Sequence, residues 1–480
     1  MKSRTLAAWT ALPLALALAH CAQNPVSGRA NFVTMSEAQE VQVGRQEDVK
    51  VRQEYGVYDN KALQHYVNEV GQRLGRASHR PHLQYTYVVI DSPEINAFAL
   101  PGGYIYITRG ILAYLNSEAE LAAVLGHETG HVTARHGVQQ MSAATAAGVG
   151  ATLVGIFVPA LRNQAGDTAI NLLGNVLLSG YGREHELEAD RLGAEYLYRT
   201  GYDPQAMIKV IGVLKNQELF DAEIAKTEGR QPRSYHGVFA SHPDADQRLQ
   251  EVVGEAGKLA GSGRVNQEEF LRMIDKVPFG YSESQGFVRN FTFYHRELGL
   301  VLKFPDTWRI SNKPDSVSAS NRGDDAMIEM RLAGRAQGAP ADILRKQIGN
   351  AREITSTTIN GLPAAIATTS IRGLPTRAAV VFLGKSAYLI GGQAKTDGAM
   401  QQALAAINAT ITSFHAMSET ERNSARPLTL RIINAPPGAT FAELARTSPL
   451  GKNAVSYLRL LNGLYPQGEP VAGQALKIVE

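Results

Sequence analysis

His127, Glu128 and His131, in the segment HETGH, are the residues of this chain whose types and spacing are best suited to chemistry. On an α-helix a spacing of four places both imidazoles on one face, where each can offer a nitrogen to the same metal ion. Glu128 falls beside them, offset around the helix. It is not placed to occupy the metal, but it can reach a water bound there and accept its proton. The chemistry implied is hydrolysis by an activated water, with zinc as the ion that such a donor set takes. With 12 histidines in 480 residues, a string of this form would arise by accident in roughly one or two chains per hundred. Its surroundings lower that chance, because the motif sits on a well-specified helix directly after a β-rich segment able to bind an extended peptide.

Such a site needs a third protein ligand and one open position. A histidine six residues after His131 is excluded, because Gly137 stands there and Ala134 occupies the position of the glycine that would precede it. The remaining common solution is a glutamate from a later helix, and the segment EHELEAD offers Glu184, Glu186 and Glu188. Glu186 shares a helical face with Asp190, Gly193 and Leu197, and Gly193 permits another helix to come close. Glu186 is therefore the expected ligand and Asp190 its support, able to orient a ligand or pair with an arginine. Glu184 and Glu188 fall on a neighbouring stripe that reads as a solvated face. His136, five residues beyond His131, points off the ligand face of a continuous helix, and it and His185 read as non-ligands.

The elements that must carry these residues are legible around them. Ser36 and Gln39 have capping-box spacing ahead of one helix, and Leu63, Val67, Val70 and Leu74 line one face of a second. A strand is expected over 85–90, and Pro101, Gly102 and Gly103 then turn the chain into the β-segment Tyr104 to Thr108. Tyr104, Ile105, Tyr106 and Ile107 are most simply strand packing. As an edge strand, Gly103 to Thr108 could also pair with a substrate backbone, with Asn96 as a further substrate-side candidate. Ser117 and Glu120 form the cap of the motif helix, and Gly137 supplies a C-terminal stop. The uncharged run from Ala143 to Leu161 has the length of a membrane span but is poor in strong hydrophobes, and reads as a buried or flap helix. A helix from Arg183 to Gly201 carries EHELEAD, and Asp203-Pro204 starts another that runs to about Lys215.

Together HETGH, EHELEAD, NAFALPGG and SHPDADQR resemble the zinc metallopeptidase family that includes HtpX, the CAAX prenyl protease and BepA, family forty-eight of the M class, over roughly residues 24 to 255. The resemblance implies a gluzincin-type endopeptidase acting on polypeptides, with one zinc ion held by His127, His131 and Glu186, the first glutamate of the family's E-x-x-A-D signature. It also brings His242 and Arg248 of SHPDADQR to the active site. There a cation could stabilise the oxyanion of the tetrahedral intermediate, or His242 could cap the zinc and hold the enzyme latent. NPVSGR resembles the opening of the secreted lipoprotein branch, and envelope protein quality control is the setting that the family implies.

Lysine plus arginine (48) nearly balances aspartate plus glutamate (45), so the formal charge of +3 carries no footprint for nucleic acid. Lys2 and Arg4 followed by the apolar stretch from Leu6 to Ala19 read as a signal peptide over 1–20. The lone cysteine, Cys21 in LAHCAQ, resembles a lipobox cysteine that is acylated to anchor the protein at the outer membrane from the periplasm. Since His20 stands where a lipobox has a small residue, cleavage after Ala17-Leu18-Ala19 to give a soluble protein is the alternative. The expected fold class is α+β. A mostly helical peptidase domain with a small sheet covers 21–278, and an antiparallel-sheet α+β domain over 285–415 loosely resembles PsbP-like domains. A small module over 427–480 is similar to LysM modules, departing from them at Ala439. These C-terminal units could contact a cell-envelope partner. Two other classes compete with the peptidase reading: a chaperone or envelope-binding protein that keeps the fold, and an intramembrane peptidase using 143–161 as a span.

Overall fold

The computed structural model describes residues 21–144, 181–228, 248, 251, 263–313, 315–349 and 353–480. It divides into two compact units, one built from the chain up to Val277 together with Thr429–Glu480, the other from Pro278–Leu428. The tail from 427, expected as a separate module, belongs instead to the first unit.

That unit opens with the antiparallel pair β1 (Cys21–Gln23) and β2 (Ala30–Phe32). Helix α1 (Glu37–Tyr55) starts at Ser36, whose side chain and that of Gln39 form a reciprocal capping box. Helix α2 (Lys61–Ala77) buries Leu63, Val67, Val70 and Leu74, the stripe expected from the sequence. Three strands follow, β3 (Thr86–Ile90), β4 (Ala97–Leu100) and β5 (Tyr104–Thr108). Their order in the sheet is β3-β5-β4, with β5 parallel to β3 and antiparallel to β4. The segment considered as an edge strand, Gly103 to Thr108, is thus the centre of the sheet, and the edges are β3 and β4.

Helix α3 (Glu118–Thr133) carries HETGH and is buried along its whole length. Ser117 accepts a hydrogen bond from the Glu120 amide as N-cap, while the Glu120 carboxylate reaches one residue further back, to the Asn116 amide (2.7 Å). Its end lies earlier than Gly137. Arg135 takes a left-handed conformation (φ 59°), and a new helix, α4 (His136–Ala144), begins at the next residue. The cost of that conformation is offset by contacts of its side chain, which donates to the Glu40 carboxylate (3.0 Å) and to the Met35 carbonyl (3.0 Å). Helices α5 (Arg183–Arg199) and α6 (Gln205–Glu228) complete the frame, α6 running well past Lys215. Beyond Ala144 the run expected to be a buried or flap helix lies outside the described residues. Among the described residues no helix is long and apolar enough to cross a membrane.

In the tail, strands Leu428–Asn434 and Ala475–Val479 pair antiparallel around two short helices, Phe441–Ala445 and Ala454–Leu461. This is the expected strand–helix–helix–strand order. The tail joins the first unit through Lys477, fully buried, whose ammonium donates to the carbonyls of Ala113 (2.7 Å) and Leu115 (2.6 Å) just ahead of α3. Phe220 of α6 also meets Tyr457 edge-on, with ring centroids 4.6 Å apart.

The second unit is the expected antiparallel α+β domain. Strands 309–312, 316–320, 326–335, 386–394, 374–383, 362–371 and 353–359 form one sheet in that order. Alternate residues serve opposite faces: Ala365, Ala378 and Val380 pack under helix Pro340–Ile348, whereas Ala364, Ala379 and Val381 pack with helix Asp397–Ser413.

Candidate metal centre and its surroundings

The site is made by two helices brought unusually close. A Cβ built on Gly126 of α3 would lie 3.4 Å from Gly193 of α5, and one built on Gly130 only 3.0 Å from the Ala189 carbonyl. With nothing larger at these positions, the first turn of α5 lies against the HETGH turn of α3, and Glu186 reaches both histidines. Its carboxylate oxygens lie 3.6 Å from His127 Nε2 and 3.4 Å from His131 Nε2, and the two Nε2 atoms are 3.0 Å apart. Donor atoms around a tetrahedral zinc at about 2.0–2.1 Å lie roughly 3.3–3.4 Å from one another, so the three side chains fit that ion. Among the described residues, His127, His131 and Glu186 are the one group of three with a metal-binding arrangement. All three are buried.

Each histidine has its other nitrogen engaged. His127 Nδ1 lies 2.8 Å from Asp190 Oδ1, and His131 Nδ1 lies 2.9 Å from His136 Nδ1. Asp190 also accepts from Arg248, Nε to Oδ2 (2.7 Å) and Nη2 to Oδ1 (2.7 Å), while Arg248 Nη1 lies 3.0 Å from Glu186 Oε2. Burial works to raise the Asp190 carboxyl, but the Arg248 guanidinium and His127 outweigh it and hold it below the usual carboxylate range. Burial pushes the His131 imidazole far below its ordinary value, against the pull of Glu186, so it stays neutral, the form that ligates metal.

The sequence reading aimed Arg248 at an oxyanion. In the structure all three guanidinium nitrogens face the carboxylates of Asp190 and Glu186, and Arg248 braces the ligand set. Its sequence neighbour His242 lies outside the described residues. Glu128 is buried beside a recess lined by Ala97, Ile111, Val124, Met207, Val210 and Leu214, with His127 and Arg248 at its wall.

The substrate-side candidates fare differently. Tyr104 and Tyr106 turn toward α1, packing with Val51 and Tyr55, and the Tyr106 hydroxyl donates to Asp48 (2.6 Å). Ile105 and Ile107 are fully buried, and Gly103 accepts a hydrogen bond from the Thr86 amide (2.9 Å). All five are engaged in packing or pairing within the first unit. Asn96, at the start of edge strand β4, is held by its backbone to Thr108.

Residues 61–256 match the model of peptidase family M48. The chain carries an M48 peptidase domain. It is 31% identical over 276 residues to the β-barrel assembly-enhancing protease of Escherichia coli, covering 55% of this chain and 54% of that protein. It is 30% identical over 239 residues to the mitochondrial metalloendopeptidase OMA1 of Schizosaccharomyces pombe, covering 48% and 66%. The chain therefore spans about half the length of the bacterial relatives it matches. Among solved structures, the cyanobacterial PsbP of Synechocystis is matched over 26% of this chain and 91% of that one, with 10% identity and a TM-score of 0.21, a likeness too slight to bear on the fold.

Two residues that sequence reasoning set aside belong to the site's surroundings. His136 touches His131, and Glu188 touches His136 (3.1 Å). No local signal marks them, because the turn that redirects the chain is Ala134–Arg135, with no glycine in it.

Proposed function

We propose that this protein is a zinc-dependent metalloendopeptidase of the gluzincin type that hydrolyses polypeptides. The observation that carries the reading is the buried His127, His131 and Glu186 set at the mutual distances of a tetrahedral zinc site, with Glu128 one residue from the first ligand. Zinc held there would supply Lewis acidity to a water and to the scissile carbonyl. Glu128 takes the proton of the attacking water and passes it to the leaving amine. Asp190 fixes His127 with Nε2 facing inward, and Arg248 is the cation shared by Asp190 and Glu186. The substrate backbone adds to the edge strand β4, whose Ala97 lines the recess beside Glu128, and that apolar recess suits an aliphatic side chain next to the scissile bond.

The similarity to the β-barrel assembly-enhancing protease fits envelope protein quality control as the biological setting. Export and a lipid anchor at Cys21 rest on the N-terminal sequence, and Cys21→Ser should release the processed protein from membranes. A chaperone that merely keeps the fold is the other reading. Hydrolysis of a denatured protein such as casein separates them: Glu128→Gln should lose at least about a thousandfold in rate while keeping its zinc. Cleavage that persists in Glu128→Gln, or after removal of metal by a chelator, would overturn the peptidase reading.

A further inference from the structure

We propose that His136 and Glu188 are positioning residues of the metal centre, forming a chain Glu188–His136–His131 that sets the tautomer of a ligand histidine and thereby the affinity for the metal. The inference rests on the zinc-site reading above and adds to it two residues outside the ligand set.

The geometry begins at the break in the helix. On an uninterrupted helix a residue five places on sits about 140° around the axis, facing away. Arg135 at φ 59° ends α3 and redirects the chain, so that His136, wholly buried, comes back against His131 with Nδ1 to Nδ1 at 2.9 Å. Its far nitrogen, Nε2, lies 3.1 Å from Glu188 Oε2. Ring planes are fixed by stacking: Tyr181 lies on His131 (centroids 4.0 Å, 18°) and His185 on His136 (4.2 Å, 18°).

Two imidazoles joined nitrogen to nitrogen can order the proton between them in either sense, and Glu188 decides which. Its carboxylate accepts but cannot donate, so a proton must sit on His136 Nε2. With one proton on each ring, His136 Nδ1 is then a bare acceptor, and His131 must donate to it from Nδ1. His131 Nε2 is left with its lone pair toward His127 and Glu186, as a metal ligand requires. The opposite order would set a bare Nε2 of His136 against the negative oxygen of Glu188 and put a proton on His131 Nε2, pointing into the ligand set. His127 gains the same orientation directly from Asp190, so each ligand histidine ends on a carboxylate of α5, one through a direct bond and the other through an intervening imidazole.

Outer partners of metal-bound histidines typically set affinity by 10–100-fold. The test is zinc affinity, measured by competition with a chromophoric chelator on wild type, Glu188→Ala, Glu188→Gln and His136→Phe, beside thermal unfolding of each zinc-free protein. Glu188→Ala and His136→Phe should bind zinc at least tenfold more weakly. Glu188→Gln, whose amide oxygen can still accept from His136, should recover most of that loss. Because Glu188 lies at the rim, with its side chain 20% exposed, its variants should fold even if His136→Phe does not. A loss below fivefold in Glu188→Ala, or a glutamine variant no better than the alanine one, overturns the chain. Wild type that binds no zinc would instead overturn the metal-site reading on which it rests.

Discussion

Replacing Arg248 by methionine keeps much of the side chain's bulk and removes the cation that Asp190 and Glu186 share. Both carboxylates are fully buried, and Arg248 makes two hydrogen bonds of 2.7 Å to Asp190 and one ion pair of 3.0 Å to Glu186. Removing one partner of such a buried arrangement costs about 3–5 kcal/mol, because the charge left behind has lost its solvent as well as its counter-ion. For a unit of this size each kcal/mol moves the unfolding midpoint by about 2 °C or somewhat more. The zinc-free variant should thus unfold roughly 6–12 °C below zinc-free wild type in a thermal scan. Saturating zinc brings two positive charges to the same carboxylates, so the gap should narrow when both proteins are loaded. Lysine at this position should restore only part of the loss, since a single ammonium cannot grip Asp190 with two bonds and reach Glu186 as well. A zinc-free difference under 2 °C would refute the reasoning that Arg248 is the counter-charge of the site, and so would a gap that zinc leaves unchanged.

Gly193→Val should drive α5 from α3, because a Cβ there would lie 3.0 Å from the His127 backbone nitrogen and 2.4 Å from Met207 Cε; a cost of about 1–3 kcal/mol is expected in urea unfolding, with zinc affinity reduced in the same protein. Lys477→Met should cost about 1–3 kcal/mol in the same assay by leaving the carbonyls of Ala113 and Leu115 without their donor, and a neutral result would show that the tail is not fastened there. In the second unit, burial works to lower the His415 pKa, but the Ser413 carbonyl and the Glu421 carboxylate hold it above the ordinary value. Its small contribution is therefore complete below about pH 6.5 and lost as pH rises through the raised folded value. Titration by NMR should show that value falling in Glu421→Gln, and no change would remove the pair.

The sequence was most legible where the chemistry is carried by regular helix. His127, Glu128 and His131 lie within one unbroken helix, and the face shared by Glu186, Asp190 and Gly193 follows from the same periodicity, so distances set by the fold match positions read from spacing. His136, read as a non-ligand, stays outside the ligand set, but its place against His131 was not legible because it depends on one non-glycine residue in a left-handed conformation, stabilised by Glu40 and Met35 far away in sequence. Glu188 was assigned to a solvated stripe for the same reason, since its partner arrives only through that break. The role of β5 was unreadable locally. Its strand pattern was correct, but whether a strand is central or edge depends on which other strands pair with it, and β5 is paired on both sides, by β3 and by β4. The tail's order of elements could be read from its turns and caps. Its attachment could not, because a buried lysine capping two carbonyls looks in sequence like any exposed one.

The central claim is that Glu186, from a helix far along the chain, completes a zinc site with His127 and His131. Metal content of purified, dialysed protein tests it most directly, with wild type measured beside Glu128→Gln and Glu186→Gln, and circular dichroism confirming that each is folded. The account predicts about one zinc per chain in wild type and in Glu128→Gln, and substoichiometric, easily dialysed zinc in Glu186→Gln. Equal, stoichiometric zinc in folded Glu186→Gln would contradict it.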